Sequence, residues 1–195
     1  MEATEPLARP VAGSGSAVFE TALGFMGLAW SEKGVTRLFL AEKNAAAIER
    51  RLLRAVESGP AGGRLPSWVE GLIAAIKAYA GGSQVEFSTV PVDLAGVDAF
   101  RLAIYAAARK LGFGETTTYG ELAKRAGHGG LPRETGAALG ANPVPLIIPC
   151  HRILAAGGKI GGFSAPGGSA SKERMLALEG VQVGPPPPAQ ASFGF

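Results

Sequence analysis

Short apolar runs separated by glycine and charge come first along the chain, and longer apolar stretches closed by glycine follow. "SAVFETALGFMGLAWSEKGVTRLFLAE" reads as short strands: Gly24 and Gly27 interrupt its first part, and "EKG" at 32–34 supplies a turn before "VTRLFL". This pattern predicts a small antiparallel meander. "NAAAIERRLLRAVESG" reads as a helix with Asn44 as its N-cap and Gly59 near its end. "PSWVEGLIAAIKAYAGG" reads as a second helix, begun by Pro66-Ser67 and closed by Gly81-Gly82. "QVEFSTVPVDLAG" reads as a strand and an extended link, which closes a first unit over residues 17–95.

A second unit spans residues 96–183. Asp98 caps a helix running to about Lys110, and "GFGE" breaks it. Thr118 opens another helix, with Glu121 three residues on as a capping box, and this helix ends at Gly127. The turn "GHGGLP" leads to a third helix from Arg133, stopped at Asn142-Pro143. Two short helices joined by a glycine-rich turn resemble a helix-turn-helix, and a plain helical hairpin fits the pattern equally well. "GGKIGGFSAPGGSAS" is expected as loop, and "SKERMLALEG" as a last helix patterned on Met175, Leu176 and Leu178. Residues 1–16 are expected to be flexible and the proline-rich residues 184–195 disordered.

Composition narrows the classes. The chain has 195 residues, 47% of them hydrophobic, enough for one ordinary domain or two small ones. A single cysteine excludes an intramolecular disulfide framework and a multi-cysteine zinc site, and two histidines leave little for other metals, so no metal is expected. The N-terminus carries acidic residues without a long apolar run and does not read as a signal peptide. No transmembrane helix is expected, because no apolar stretch reaches 18 residues. A free thiol suits a reducing cytoplasm. The net charge of +3 hides an asymmetry. Residues 1–99 carry 9 Lys and Arg against 11 Asp and Glu, whereas residues 100–180 carry 10 against 5. A basic second half suits an anionic partner, and ordinary surface charge accounts for it too.

The chemistry concentrates in "NPVPLIIPCHRILAAGG", residues 142–158, which holds the sole cysteine beside one of the two histidines. Pro143, Pro145 and Pro149 restrict the residues before them, and "LII" anchors the segment in the core. Cys150 is therefore expected on a rigid, mostly buried mount; a small buried hydrophobe is the plain alternative. Reactivity requires the thiolate, hence a base or a positive field. His151 is the candidate base, although neighbours on an extended segment point to opposite faces, so pairing needs a turn or a bridging water. It can equally serve to orient the loop. Glu179 lies at a helix C-terminus, where a carboxylate opposes the macrodipole, and an acid in that place invites a functional reading. Arg133 opens its helix against the same dipole and is a candidate for phosphate or base contact, or a solvated arginine.

"GETTTYGELA", "RETGAALGANPVPLIIPCHRI", "GKIGGFS" and "KERMLALEG", in this order, resemble the O6-alkylguanine-DNA alkyltransferases, the methylated-DNA–protein-cysteine methyltransferases, over about residues 17–183. The resemblance implies an α/β (α+β) fold: a small N-terminal β-sheet with helices, ribonuclease H-like, and a mostly helical C-terminal domain like a winged helix-turn-helix. It implies a monomer acting on double-stranded DNA that carries alkylated guanine, without cofactor or membrane. Guanine would be flipped into a pocket, and the alkyl group of O6-alkylguanine, or of O4-alkylthymine, would pass irreversibly to Cys150.

The same resemblance implies individual roles. His151 would act as base through a water, held by Glu179, with Asn142 tying the helix-turn-helix to the active segment. Tyr119 would rotate the target phosphate and donate to guanine, and Arg133 would enter the stack. Thr118, Gly136, Ala137 and Gly140 would face the DNA, the small residues permitting close approach in the minor groove. Pro149, Ile153, Ile160, Gly161, Phe163 and Ser164 would line the pocket, with the carbonyls of Cys150 and Ile153 reading the exocyclic amine. Phe163, Glu134 and Thr135 depart from the family pattern, which bears on affinity and adduct range. A DNA-binding regulator, or an alkyltransferase-like damage sensor without transfer, is the alternative; that sensor class has tryptophan in place of the cysteine, which Cys150 argues against. A Cys-His hydrolase is a third reading.

Overall fold

The computed structural model describes residues 13–55 and 64–183. The predicted meander forms as β1 (Gly15–Thr21), β2 (Gly24–Ser31) and β3 (Gly34–Glu42), an antiparallel sheet in the order β1-β2-β3. Leu28 pairs with Ala17 on one side and Leu38 on the other, so β2 is central and Met26 to Trp30 are all buried. Side chains alternate across the sheet. Met26, Leu28 and Trp30 enter the main core, while Ala29 packs with Ile48 and Leu52 of α1 (Ala45–Ala55). Asn44 caps α1, its Oδ1 accepting from the Ala47 amide at 2.9 Å. The expected end of this helix at Gly59, the N-terminal segment up to residue 12 and the proline-rich tail lie outside the described residues. β1 starts at Gly15, two residues before the expected boundary.

The sheet's other face carries α2 (Ser67–Ala80), which contributes Trp68, Leu72, Ile76 and Tyr79 to the core. The strand expected after it does not form. Residues 84–96 make one isolated bridge, Val35 to Val92. Their carbonyls explain why: those of Ser88 and Val90 accept from Arg109 Nη2, at 2.6 Å each, instead of from a neighbouring strand. Phe87 and Val90 still bury their side chains.

In the second unit, α3 (Ala99–Ala108) is capped by Asp98, whose Oδ1 accepts from the Arg101 amide at 2.9 Å. The ladder residues Thr117–Thr118, β4, lead into α4 (Tyr119–Arg125), and α5 (Pro132–Gly140) follows a turn. Thr118 Oγ1 accepts from the Glu121 amide at 3.3 Å, but the Glu121 carboxylate bonds Lys124 at 2.8 Å, so only half of the expected capping box is made. Tyr105 of α3 donates to the Ala138 carbonyl of α5 at 2.8 Å, and the three helices pack together as a helix-turn-helix on its supporting helix. β5 (Ile153–Leu154) pairs in parallel with β4, Thr117 to Ile153 and Thr118 to Leu154. The last helix, α6 (Gly168–Leu178), begins three residues before the expected Ser171, so the glycine-rich stretch is loop only in part; a short 3-10 turn at Ala156–Gly158 occupies its start.

Both units share one contiguous core, from Phe19 to Met175. Within the first unit, the turn at Gly34 ties β3 to the extended link that follows α2. Gly34 has φ +144°, and a Cβ there would lie 2.5 Å from the Pro91 carbonyl atoms. The close approach lets the Val35 amide donate to the Pro91 carbonyl at 2.9 Å and the Asp93 amide donate to the Val35 carbonyl at 2.8 Å. Gly34→Ala is therefore expected to cost about 1–3 kcal/mol through backbone strain, read as a lower urea midpoint; an unchanged midpoint would contradict this packing.

Candidate active site

The segment before Cys150 is tied down at nearly every residue. Asn142 Nδ2 donates to the Ile148 carbonyl at 2.8 Å, and its Oδ1 accepts from the Val144 amide at 3.0 Å. The Ile148 amide bonds the Val144 carbonyl at 2.9 Å, closing a tight loop in which Leu146 takes φ +74°. A left-handed leucine persists only where its surroundings enforce it, and Val144, Leu146, Ile147 and Ile148 are all buried. The Leu38 amide of β3 donates to the Pro143 carbonyl at 3.0 Å, so the first unit grips the mount directly.

Cys150–Arg152 then form a 3-10 turn, locked by the Arg152 amide on the Pro149 carbonyl at 3.0 Å and by the following β5 ladder. The extended geometry considered from sequence is thus replaced by a turn. It does not pair His151 with the thiol among the described hydrogen bonds. His151 is fully buried and points its Nε2 at Glu179 Oε1, 2.7 Å away, while its Nδ1 has no protein partner among the described residues.

Glu179 is the C-cap residue of α6 and only 5% exposed. Five donors converge on its carboxylate. Oε1 accepts from His151 Nε2, from Tyr79 Oη at 3.0 Å and from Arg152 Nη2 at 3.0 Å. Oε2 accepts from Arg152 Nε at 2.8 Å and from the Gly114 amide at 3.0 Å. Arg152 Nη1 completes its own bonding on the Leu111 carbonyl at 2.6 Å. Burial alone would raise the carboxyl pKa; the hydrogen bonds from His151 and Arg152, the charge His151 carries when protonated and the Gly114 amide overcome it and bring Glu179 down to about 2. His151 moves downward from its ordinary value because burial outweighs the Glu179 carboxylate. Arg152 is the permanent counter-charge, and at neutral pH the imidazole is neutral. An ionised carboxylate accepts only, so Nε2 carries the proton and Nδ1 is left as a lone-pair acceptor.

Cys150 is 7% exposed and lines a cleft of about 330 Å³ with Asn142, Phe163, Ser164, Pro145 and β3 residues that include Arg37. Burial pushes its thiol pKa up, while the Asn142 side chain, the Lys172 ammonium and the amides of Cys150 and His151 pull it down. Lys172 is fully buried, donates to the Ile153 carbonyl and sits 5.7 Å from the Tyr119 ring centroid. Tyr119 is half-buried, with its hydroxyl donating to the Gly162 carbonyl at 3.4 Å. A Cβ on Gly161 would be 3.0 Å from that ring, so glycine permits the contact. Ser164 Oγ donates to the Gly140 carbonyl at 3.0 Å and fixes the loop to α5. Among the other residues expected in the pocket, Pro149 and Ile153 are buried, and Ile160 and Gly161 are half-buried; none of the four lines this cleft, nor does Tyr119.

On α5, Arg133, Ala137 and Gly140 are exposed along one side, and Gly136 is half-buried next to Tyr119. Thr118 is occupied in capping α4. Thr135 faces inward, fully buried, with Oγ1 donating to the Leu131 carbonyl at 2.8 Å, so its departure from the family pattern touches the core and not the exposed face. Glu134 is exposed, and no ion pair joins it to Arg133 among the described residues.

Sequence reasoning passed over Tyr79, Arg152 and Lys172. Lys172 carried a signal, since it shares the buried face of α6 with Met175 and Leu176 at helical spacing. Arg152 stood inside the quoted motif. Tyr79 carried none, because its partner lies 100 residues further on.

The fold and site together define an α+β protein with a helix-turn-helix beside a buried Cys-His-Glu cluster. A family profile described as "6-O-methylguanine DNA methyltransferase, DNA binding domain" matches residues 99–181. The chain is 32% identical over 158 residues to a methylated-DNA–protein-cysteine methyltransferase of Methanothermobacter thermautotrophicus, covering 81% of each. It is similar to the crystal structure of the Mycobacterium tuberculosis O6-methylguanine methyltransferase, at 30% identity and TM-score 0.68, covering 86% of this chain and 93% of that one. The M. tuberculosis protein in complex with DNA matches at 31% identity with the same TM-score, covering 84% and 91%. The chain belongs to the methylated-DNA–protein-cysteine methyltransferase family.

Removing the Glu179 charge leaves Arg152 buried without a counter-ion, so Glu179→Gln is expected to destabilise the fold by about 3–5 kcal/mol in urea unfolding. The folded carboxyl pKa is depressed from 4.5 to about 2, so this stabilisation is complete above pH 4.5 and is lost as pH falls toward about 2. The stability gap between native and variant should narrow across that window; a constant gap would contradict an ionised Glu179.

Proposed function

We propose that this chain repairs DNA by moving the alkyl group of O6-alkylguanine, and of O4-alkylthymine, irreversibly onto its own Cys150. The observation that carries the reading is the chain's sole cysteine, on a rigid buried turn, beside a neutral histidine whose free Nδ1 is set by an ionised Glu179. The target base enters the cleft at Cys150 after leaving the stack. A water between the thiol and His151 Nδ1 passes the thiol proton to the imidazole. The thiolate sulfur then forms a bond to the alkyl carbon as the carbon–O6 bond breaks, and the electron pair moves into the guanine ring. The Tyr119 hydroxyl donates a proton to that ring, and the proton held by His151 returns to the tyrosine through solvent. No second thiol releases the thioether, so each molecule acts once.

Arg133 and the exposed Ala137 and Gly140 supply the DNA face, Arg133 filling the space the base vacates. Gly136, half-buried against Tyr119, brings α5 close to the tyrosine. Asn142 keeps the mount joined to α5, and Phe163 and Ser164 form the wall near O6. Thr118 acts by fixing the start of α4, Pro149 and Ile153 by fixing the turn, and Gly161 by leaving room for the Tyr119 ring. Among the described residues no helix is long and apolar enough to cross a membrane, and no His/Cys/Asp/Glu group could hold a metal. A monomer working in the cytoplasm completes the reading.

Duplex DNA carrying radiolabelled O6-methylguanine tests it. Label should move to the native protein to at most one equivalent and not to Cys150→Ser, which should still bind the duplex. Binding without transfer would favour a DNA-binding regulator, and turnover beyond one equivalent a hydrolase; either outcome refutes the proposal.

A further inference from the structure

Among the described hydrogen bonds, one side chain of the first unit reaches the Glu179 carboxylate. Tyr79 stands in the last turn of α2 and is 1% exposed. Its ring packs edge-on against Phe87, Phe113 and His151, at centroid distances of 5.9, 6.3 and 6.5 Å. Its hydroxyl donates to Glu179 Oε1 at 3.0 Å, the same oxygen that receives His151 Nε2, and lies 3.5 Å from that nitrogen. We propose that Tyr79 is a positioning residue for the alkyl transfer, a donor from the first unit that sets the proton affinity of His151 through the carboxylate they share. This rests on the transfer reading above.

Tyr79 and His151 compete for a single oxygen. Each donor on Oε1 disperses carboxylate charge, and charge left on that oxygen favours an imidazolium at Nε2. The groups facing His151 are Glu179 and Lys172 from α6, Arg152 from its own turn and Tyr79 from α2. Arg152 and Lys172 both disfavour the imidazolium, and Glu179 favours it. The Tyr79 hydroxyl tempers Glu179. The phenol itself stays protonated, since burial and then the neighbouring carboxylate push its pKa far upward, so it acts as a fixed donor. Without it the imidazole gains basicity, and the neutral form needed to accept the thiol proton is reached only at higher pH.

Tyr79→Phe keeps the ring and removes the donor. Phe113→Leu is the control, loosening the ring packing while leaving the hydroxyl in place. Two readouts are taken on each: the pH profile of the single-turnover transfer rate, and the His151 titration followed by NMR. In Tyr79→Phe the acid limb and the His151 titration should both move up by roughly 0.5–1 pH unit, a 3- to 10-fold slower transfer below the limb. DNA binding should be unchanged. Phe113→Leu should lower thermal stability and move neither. Superimposable titrations for native and Tyr79→Phe, or an equal shift in Phe113→Leu, would overturn the proposal. Absence of transfer in the native protein would instead refute the transfer reading, and the titration would still decide whether Tyr79 tunes the histidine.

Discussion

The site is organised around one carboxylate. Glu179 sits at the end of α6, where the helix dipole opposes its charge, and is removed from water as well. It is tolerated there because five donors meet it, from α2, from the turn after α3 and from the turn that carries Cys150. Those donors come from sequence positions between 79 and 152. The carboxylate therefore acts as a cross-link among segments that the chain itself does not connect. A buried ion pair contributes little net stability compared with an apolar core, but loss of one partner is costly. The arrangement resists partial disassembly and holds the imidazole in one orientation.

Charge separation is the second consequence. Arg152 answers Glu179, and Lys172 stands near the thiol with its ammonium anchored on the Ile153 carbonyl. The two buried cations thus serve different anions, one permanent and one that exists only when the thiol ionises. Burial alone makes Cys150 a reluctant thiolate. The cost of burial is offset locally by Asn142, by Lys172 and by the backbone amides of Cys150 and His151, not by the His151 imidazole.

Much of this was legible in the sequence, for reasons that differ by residue. Asn44, Asp98 and Thr118 cap helices as expected, because capping is a local contest between a side chain and the next amides. The prolines and the apolar run at 146–148 announced a rigid mount, and Glu179 was noticed because a carboxylate at a helix C-terminus needs a reason. The strand expected within 84–96 failed because Arg109 takes its carbonyls, a long-range choice that no local pattern reveals. The capping box failed by half because Lys124 competes for Glu121. Tyr79 and Arg152 were invisible as site residues, since a tyrosine in an apolar helix and an arginine in a motif become donors only when α6 arrives. Thr135 stood out as a departure from the family pattern, and the helix turns it inward, into the core.

Glu179 fixes His151 as a neutral imidazole with its proton on Nε2, leaving Nδ1 free to accept. Nitrogen-15 NMR of the histidine rings in the native protein at neutral pH tests it most directly, with His128 assigned separately by substitution. A protonated Nε2 and an unprotonated Nδ1 are expected for His151. A proton on Nδ1, or on both nitrogens, would contradict it.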